Sequence, residues 1–209
     1  MTVTGIVLAG GLSTRMGRDK ASLPFGTETL LERAIRIVGE VAGDVIVVAR
    51  PDHATPPGIR VVHDPIANLG PLAGIAAGLS ASHSDVNVVV ACDMPLVRPE
   101  VLRRLIALRE DADICVAVVD GHASPLCAVY RSSVAGVAQA LLAGGERRVM
   151  ALLDGVQTKR VEAALFRDFD PDLDSFVSCN TPEAYAAALV RLTTSAKATA
   201  VKKADATSP

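Results

Sequence analysis

Short apolar runs alternate along the chain with longer segments in which apolar residues recur at helical spacing. The short runs predict strands at residues 5–9, 44–49, 60–62, 87–91, 113–119 and 126–130. The periodic segments predict helices at residues 29–42, 71–82, 99–109, 132–142, 146–153 and 182–192. The first of these helices opens with Thr29 and Glu32, which have the spacing of a capping box.

Strands that alternate with helices and are apolar throughout predict an α/β fold. We expect a Rossmann-like three-layer α/β/α arrangement, with a mostly parallel sheet covered on both faces. Residues 1–192 form a single predicted domain. From residue 193 the chain is rich in Ala, Thr, Lys and Ser, and this composition predicts a disordered tail over residues 193–209.

Composition narrows the possible functions. The formal net charge of -2 argues against a general nucleic-acid binder, which would carry a basic excess. We expect no membrane partner either, since no apolar run has the length of a bilayer span and the N-terminus lacks the layout of a signal peptide. The cysteines are scattered singly, as expected for reduced thiols in a cytoplasmic protein.

The first candidate for chemistry is the stretch GIVLAGGLSTRMGRDK at residues 5–20. It matches neither of the two best-known phosphate loops, because Gly10 and Gly11 are adjacent and Lys20 follows an aspartate. Glycines let backbone amides approach an anion closely, while Arg15 and Lys20 could offset the charge of a phosphoryl group. The alternative is a glycine-rich turn with surface cations.

Two more polar sites follow predicted strands. Asp64 comes after the third strand and precedes NLGPLAG, where Gly70 and Pro71 mark a turn into a helix whose N-terminus could face the same ligand. Asp93 follows the apolar run 87–91, and its carboxylate is a natural Mg²⁺ ligand beside substrate phosphates. Each could instead belong to a plain turn. Ligands of open parallel sheets bind outside the carboxyl ends of the strands, so these residues are expected to meet in one crevice.

Together, the motifs LAGG-x-S-x-R-M-G-x-D-K (8–20), GPLAG (70–74) and CDMP (92–95) resemble those of nucleotidyltransferases that build sugar nucleotides and dinucleotide cofactors. GERRVMALL (145–153) and F-x-x-x-NTPE (176–183) are most similar to the molybdenum cofactor guanylyltransferases. This resemblance implies a fold of the nucleotide-diphospho-sugar transferase type. It also implies transfer of GMP from GTP to molybdopterin or Mo-molybdopterin, with release of pyrophosphate and with Mg²⁺ as cofactor.

The resemblance also suggests roles for individual residues. It implies that Arg15, Lys20 and Asp93 are catalytic and that Asp93 is the metal ligand. The implied GTP contacts are Leu8, Ala9, Gly10, Lys20, Asp64 and Asp93. Gly11, the second glycine of the loop, is added to this set as a further GTP contact. The implied molybdopterin contacts are Arg147, Arg148 and Asn180, although the arginines could simply be solvated and Asn180 could cap the following helix.

The chain departs from the family pattern in two places. Some members carry an asparagine near Val47 that helps to hold the nucleotide, and some carry F-x-N-x-NTPE where this chain has Ser178. The second departure bears on pterin recognition, because a serine lacks the reach of an amide. Molybdoenzymes or their delivery chaperones are the expected recipients of the product.

Alternative functions remain open at this point. A molybdopterin cytidylyltransferase and a sugar-1-phosphate nucleotidyltransferase share the same chemistry, although LAGG points away from the cytidine enzymes. A different class is a non-catalytic protein of the same fold that binds a nucleotide as an effector. Retention of Arg15, Lys20 and Asp93 argues against that class, since a binder has no need of the metal ligand.

Overall fold

A computed structural model describes residues 2–10, 20–51, 53–63 and 70–205, with backbone alone for residues 195–205. The strands are β1 (Val3–Leu8), β2 (Pro24–Phe25), β3 (Glu28–Thr29), β4 (Asp44–Ala49), β5 (Arg60–His63), β6 (Val86–Ala91), β7 (Ile114–Val119), β8 (His122–Arg131) and β9 (Thr158–Glu162). The helices are α1 (Leu30–Gly39), α2 (Pro71–Ala81), α3 (Pro99–Leu108), α4 (Val134–Ala143), α5 (Val149–Asp154) and α6 (Pro182–Asp205).

Seven of the strands form one sheet in the order β5-β4-β1-β6-β8-β7-β9. Strand β1 pairs in parallel with β4 and β6, β4 with β5, and β7 with β9. Only β8 runs against both of its neighbours, β6 and β7. The predicted α/β class and mostly parallel sheet are therefore confirmed.

Helices cover both faces of this sheet. The apolar sides of α1 and α3 pack on one face, and those of α2, α4 and α5 pack on the other. Strand β6 is buried along its whole length because it lies in the middle of the sheet between these layers. The three-layer arrangement predicted from the apolar strands is confirmed.

Helix α1 begins as its sequence predicts. The hydroxyl of Thr29 accepts a hydrogen bond from the Glu32 amide at 3.1 Å, and the Glu32 carboxylate accepts one from the Thr29 amide at 2.7 Å. This reciprocal capping box satisfies two amides that the first turn leaves without a helical partner. The helix ends at Gly39, earlier than its apolar periodicity predicts.

The sheet is larger than the apolar runs predict. Strand β8 begins at His122 rather than at residue 126, because Asp120 and Gly121 form a tight turn with positive φ values of 49° and 79° that folds it directly back on β7. Strand β9 was not predicted at all. It lies at the edge of the sheet and buries only Val161, so its sequence TKRVE carries little apolar signal.

Helix α6 extends to Asp205, beyond the predicted domain end at residue 192. The backbone of residues 193–205 is helical, which suits a stretch rich in alanine and lysine, and the disordered tail inferred from the composition of residues 193–209 stays a prediction. Residues 206–209 lie outside the described part of the chain. Of the helices that the structure describes, none is both long and apolar enough to cross a membrane.

Close packing of α2 against β1 requires a glycine at position 78. A Cβ atom there would lie 2.5 Å from Cγ2 of Ile6, whose branch point on a buried strand leaves it little room to move. Gly136, in the exposed part of α4, has no atom within 4 Å of the equivalent position.

We expect Gly78→Ala to be less stable than Gly136→Ala by about 1–3 kcal/mol, the usual cost of forcing a methyl group into a packed core. Both changes gain the same helix propensity, so Gly136→Ala is the matched control. Denaturant unfolding of the two variants measures the difference. Equal stability of the two variants would show that α2 does not approach β1 this closely.

Candidate active site

The carboxyl ends of β1, β4 and β6 open into a cavity of about 630 Å³. Two backbone hydrogen bonds continue the pairing of β1 with β4 and of β1 with β6 just past the ends of these strands. The Ala9 amide donates to the Val48 carbonyl at 2.8 Å, and the Cys92 amide donates to the Leu8 carbonyl at 3.0 Å. The chain segments that leave β1 and β6 are thereby held side by side at the mouth of the sheet.

Most of the residues predicted to contact a nucleotide line this one cavity. Those that lie in the described part of the chain are Leu8, Ala9, Gly10, Lys20 and Asp93. Gly11, Arg15 and Asp64 lie outside the described residues, and their predicted roles stay predictions.

The N-terminus of α2 faces the cavity, as the GPLAG motif predicts. Gly70, at the N-cap, has a φ of 81°, a conformation that favours glycine, and Pro71 occupies the first turn. Both residues line the cavity together with Gly74, where a Cβ atom would lie 3.3 Å from Leu8 Cδ2. The partial positive charge of a helix N-terminus is therefore directed at any anion bound here.

A lysine and two acceptors meet on one side of the cavity. The Lys20 ammonium donates to Oδ1 of Asn180 at 2.6 Å and lies 3.5 Å from Oδ2 of Asp93. The side chains of Lys20 and Asp93 are 17% and 18% exposed, so water screens their charges only in part. These three residues come from segments that are 73 and 160 positions apart.

The segment that carries Asn180 is attached to the loop after β6. The Cys179 amide donates to the Asp93 carbonyl at 2.7 Å, and the Arg98 amide donates to Oγ of Ser175 at 3.0 Å. Burial, aided by the neighbouring Asp93 carboxylate, raises the pKa of the Cys179 thiol to about 11. Cys179 is thus a packing residue here rather than a nucleophile.

A buried carboxylate organises the approach to this segment. Asp170 is fully buried and accepts hydrogen bonds from the amides of Asp174 at 3.2 Å and Ser175 at 3.0 Å. Its Oδ1 atom also lies 3.3 Å from Nε of Arg98. The carboxylate therefore connects residues 174–175 to the start of α3.

A small apolar cluster, made of Phe25, Leu30, Cys179 and Ala188, connects the segments around Lys20 and Asn180. It is separate from the two cores on the faces of the sheet. Arg33 extends this cluster, since its guanidinium lies over the Phe25 ring at 5.2 Å and Nε donates to the Pro95 carbonyl at 2.5 Å. Lys20 and Asn180 thus approach the cavity from a common packed base.

The arginines predicted to contact the second substrate do not line the cavity. Arg148 is 78% exposed at the side chain and pairs with Glu146, with Nη2 and Oε2 2.6 Å apart. The bonds from Arg148 and from the amides of both arginines lower the pKa of Glu146 to about 2. The Arg147 carbonyl lies near Gly70, so the two arginines stand beside the cavity rim.

Sequence reasoning missed part of the opposite wall. Ala123, Ser124, Pro125 and Leu126 line it, together with Phe176 and Ser178. Ala123, Ser124 and Pro125 belong to the stretch of β8 that the apolar pattern omitted, whereas Leu126 begins the predicted strand. The dipeptide Asp120-Gly121 is a signal for a hairpin and could have identified this extra strand length.

Among the described residues that line the cavity, Asp93 is the one carboxylate that a metal could use. No group of three or more His, Cys, Asp or Glu side chains lies together within the described ranges. A single carboxylate beside a cavity suits Mg²⁺, which commonly takes one or two protein carboxylates and completes its shell with substrate phosphates and water. Mg²⁺ at Asp93 stays a prediction.

A family model and two relatives from mycobacteria are similar to most of this chain. The MobA-like NTP transferase domain matches residues 5–161. A protein named "Probable molybdenum cofactor guanylyltransferase" from Mycobacterium tuberculosis H37Rv is 38% identical over 170 residues, covering 78% of this chain and 84% of that protein. A protein of the same name from Mycobacterium marinum is also 38% identical, over 77% of this chain and 84% of its own length.

Solved structures share the fold. Molybdopterin-guanine dinucleotide biosynthesis protein A from Archaeoglobus fulgidus superposes with a TM-score of 0.79 at 26% identity, covering 91% of this chain and 99% of that one. The 2-C-methyl-D-erythritol 4-phosphate cytidylyltransferase of Thermus thermophilus has a TM-score of 0.68 at 20% identity, over 91% and 98% of the two chains. The second likeness shows the fold alone, and with the first it confirms the predicted nucleotide-diphospho-sugar transferase type.

We expect Asp170→Ala to lower the free energy of unfolding by about 2–4 kcal/mol, because the change leaves the buried Ser175 amide and the half-buried Asp174 amide without their acceptor and Arg98 without its partner. Asp172→Ala, at an exposed position in the same loop, is the control and should stay within about 0.5 kcal/mol of the unmodified protein. Thermal or denaturant unfolding measures both. Similar stability of the two variants would remove Asp170 from the anchoring of residues 174–175.

Proposed function

The chain belongs to the MobA-like NTP transferase family, and on this premise we propose that it transfers GMP from GTP to molybdopterin or Mo-molybdopterin, releasing pyrophosphate. Family membership makes it a nucleotidyltransferase. The choice of GTP and of a molybdopterin acceptor rests on the names of its relatives, and the cavity of about 630 Å³ at the mouth of the sheet is the site proposed for them.

The observation that carries the proposal is the convergence of Lys20, Asp93 and the α2 N-terminus on one cavity. All three features favour the binding of a polyphosphate. Lys20 is a cation, Asp93 is a carboxylate suited to Mg²⁺, and the N-terminus of α2 carries a partial positive charge. Val48, Leu8 and Gly74 supply an apolar floor beside them. In this proposal the base and ribose of GTP lie over β1 and β4, with the phosphates towards Lys20.

The proposed reaction needs no covalent intermediate on the protein. A phosphate oxygen of molybdopterin attacks the α-phosphorus of GTP, and the bond from that phosphorus to the bridging oxygen of the leaving pyrophosphate breaks. Such reactions depend on positioning and on compensation of negative charge. Lys20 supplies part of that compensation, and Arg15 remains a predicted second cation. Asp93 would hold Mg²⁺, which supplies further charge neutralisation at the phosphates.

The second substrate is proposed to lie against the opposite wall. Ala123–Leu126 and Phe176 offer an apolar surface, and Ser178 and Asn180 add polar groups at its edge. Arg147 and Arg148 stand at the rim outside the cavity lining, and the Arg148 guanidinium is already paired with Glu146. Asn180 is therefore the better supported of the three predicted molybdopterin contacts.

We propose a cellular compartment from the state of the cysteines, and recipients of the product from the reaction. Cys115, Cys127 and Cys179 are buried thiols, which fits a reducing cytoplasm. Molybdoenzymes or their delivery chaperones are the proposed recipients of the dinucleotide product. This proposal includes neither a nucleic acid nor a membrane as a partner. The net charge of -2 agrees with the exclusion of nucleic acid.

The proposal is tested by pyrophosphate release from each of the four nucleoside triphosphates, with and without molybdopterin. We expect release only with GTP, Mg²⁺ and molybdopterin together. A preference for CTP would favour a molybdopterin cytidylyltransferase, and release with a sugar 1-phosphate in place of molybdopterin would favour a sugar nucleotidyltransferase. Nucleotide binding without Mg²⁺ and without turnover would identify an effector-binding protein instead.

Asp93→Asn should lower kcat/KM for GTP by about 10²-fold or more, since it removes the charge proposed to hold Mg²⁺ and keeps the backbone carbonyl that accepts from Cys179. The matched control is Asp85→Asn, just before the amino end of β6, where the side chain is 62% exposed. Its rate should match that of the unmodified protein. A fully active Asp93→Asn variant would exclude Asp93 as the metal ligand.

A further inference from the structure

We propose that Ser178 is a positioning residue: it fixes the side-chain amide of Asn180 so that the amide oxygen holds the Lys20 ammonium at the cavity. The inference rests on the proposed function, since it concerns how the cation of that site is held. Ser178 accepts a hydrogen bond from Nδ2 of Asn180 at 2.7 Å, and Oδ1 of Asn180 accepts one from Lys20 at 2.6 Å. The three side chains form a continuous chain.

An asparagine side-chain amide can adopt two orientations, which exchange the positions of its oxygen and its nitrogen. One end accepts hydrogen bonds and the other donates two, so the side chain can hold a cation only when its oxygen faces that cation. A hydroxyl such as that of Ser178 can accept from the amide nitrogen and so stabilise this orientation. Without it, the amide could rotate and present its NH₂ group to Lys20, which has no acceptor to offer.

The backbone around these residues is well placed for this role. Cys179 lies between Ser178 and Asn180, its amide bound to the Asp93 carbonyl at 2.7 Å and its side chain buried in the cluster with Phe25 and Leu30. Ser178 and Asn180, on either side of it, both line the cavity. The anchored residue therefore directs its two polar neighbours towards Lys20.

A neutral acceptor has a particular use next to a phosphate site. A carboxylate at 2.6 Å would neutralise the ammonium, whereas an amide oxygen orients it and leaves its full charge available to an incoming anion. The charged acceptor, Asp93, stands farther away at 3.5 Å. Asn180 and Ser178 thus keep Lys20 aimed into the cavity without cancelling the charge on which phosphoryl transfer depends.

The test combines Ser178→Ala and Ser178→Thr with Lys20→Met, using GTP-dependent pyrophosphate release in the presence of molybdopterin. Ser178→Ala should lower kcat about fivefold, which is the effect of losing one hydrogen bond worth about 1 kcal/mol. The KM for GTP should change little. Ser178→Thr keeps the hydroxyl and should restore the rate. Ser133→Ala removes an exposed hydroxyl at the start of α4 and is the control, with no change expected.

A double-mutant comparison separates positioning from a general structural effect. In the Lys20→Met background, Ser178→Ala should have no further effect on kcat, because the group that it positions is gone. An equal fall in both backgrounds, or a Ser178→Thr variant as slow as Ser178→Ala, would overturn the inference.

A second readout does not depend on turnover. The side-chain NH₂ resonance of Asn180, assigned with Asn180→Asp, should shift in Ser178→Ala and in Lys20→Met, and stay in place in Ser133→Ala. A resonance that is unchanged in Ser178→Ala overturns the positioning role even if transfer is active. Shifts as expected in a protein that turns over none of the four nucleotides would support the positioning role and reject the proposed function.

Discussion

Parallel pairing of β1 on both of its sides is the constraint on which the site depends. Because β4, β1 and β6 run in the same direction, their carboxyl ends lie at one edge, and backbone hydrogen bonds just past these ends hold the departing segments side by side. The close approach of α2 to β1 through Gly74 and Gly78 then brings the N-terminus of α2 to the same edge. A single topological choice therefore places Gly10, Asp93 and the N-terminus of α2 around one cavity.

The sheet alone does not complete this cavity. Lys20 and Asn180 belong to segments outside the sheet, and the cluster around Phe25 and Cys179 holds these segments against each other. The buried Asp170 carboxylate performs the same task for the loop that leads to Phe176. Polar groups of the site are thus held by neighbours that are themselves satisfied, which keeps the Lys20 ammonium in place before any phosphate arrives.

The fold could be read from the sequence where burial leaves a clear pattern. Strand β6 and helix α1 carry unbroken apolar or periodic signals, and both were predicted to within a few residues. Strand β9 was missed because an edge strand buries one side chain only, and the start of β8 was missed because Pro125 interrupts the apolar run. The chain from Ser178 through Asn180 to Lys20 lay beyond reach of the sequence, since it depends on contacts across 160 positions that no local pattern encodes.

A crystal structure of the protein with Mg²⁺ and a non-reactive GTP analogue tests the account most directly, by the position of the triphosphate. The account predicts phosphate oxygens within hydrogen-bond distance of Lys20 Nζ, the metal ion on Asp93, and Asn180 Oδ1 still facing Lys20. A nucleotide bound elsewhere, or in this cavity with its phosphates directed away from Lys20 and Asp93, would contradict it.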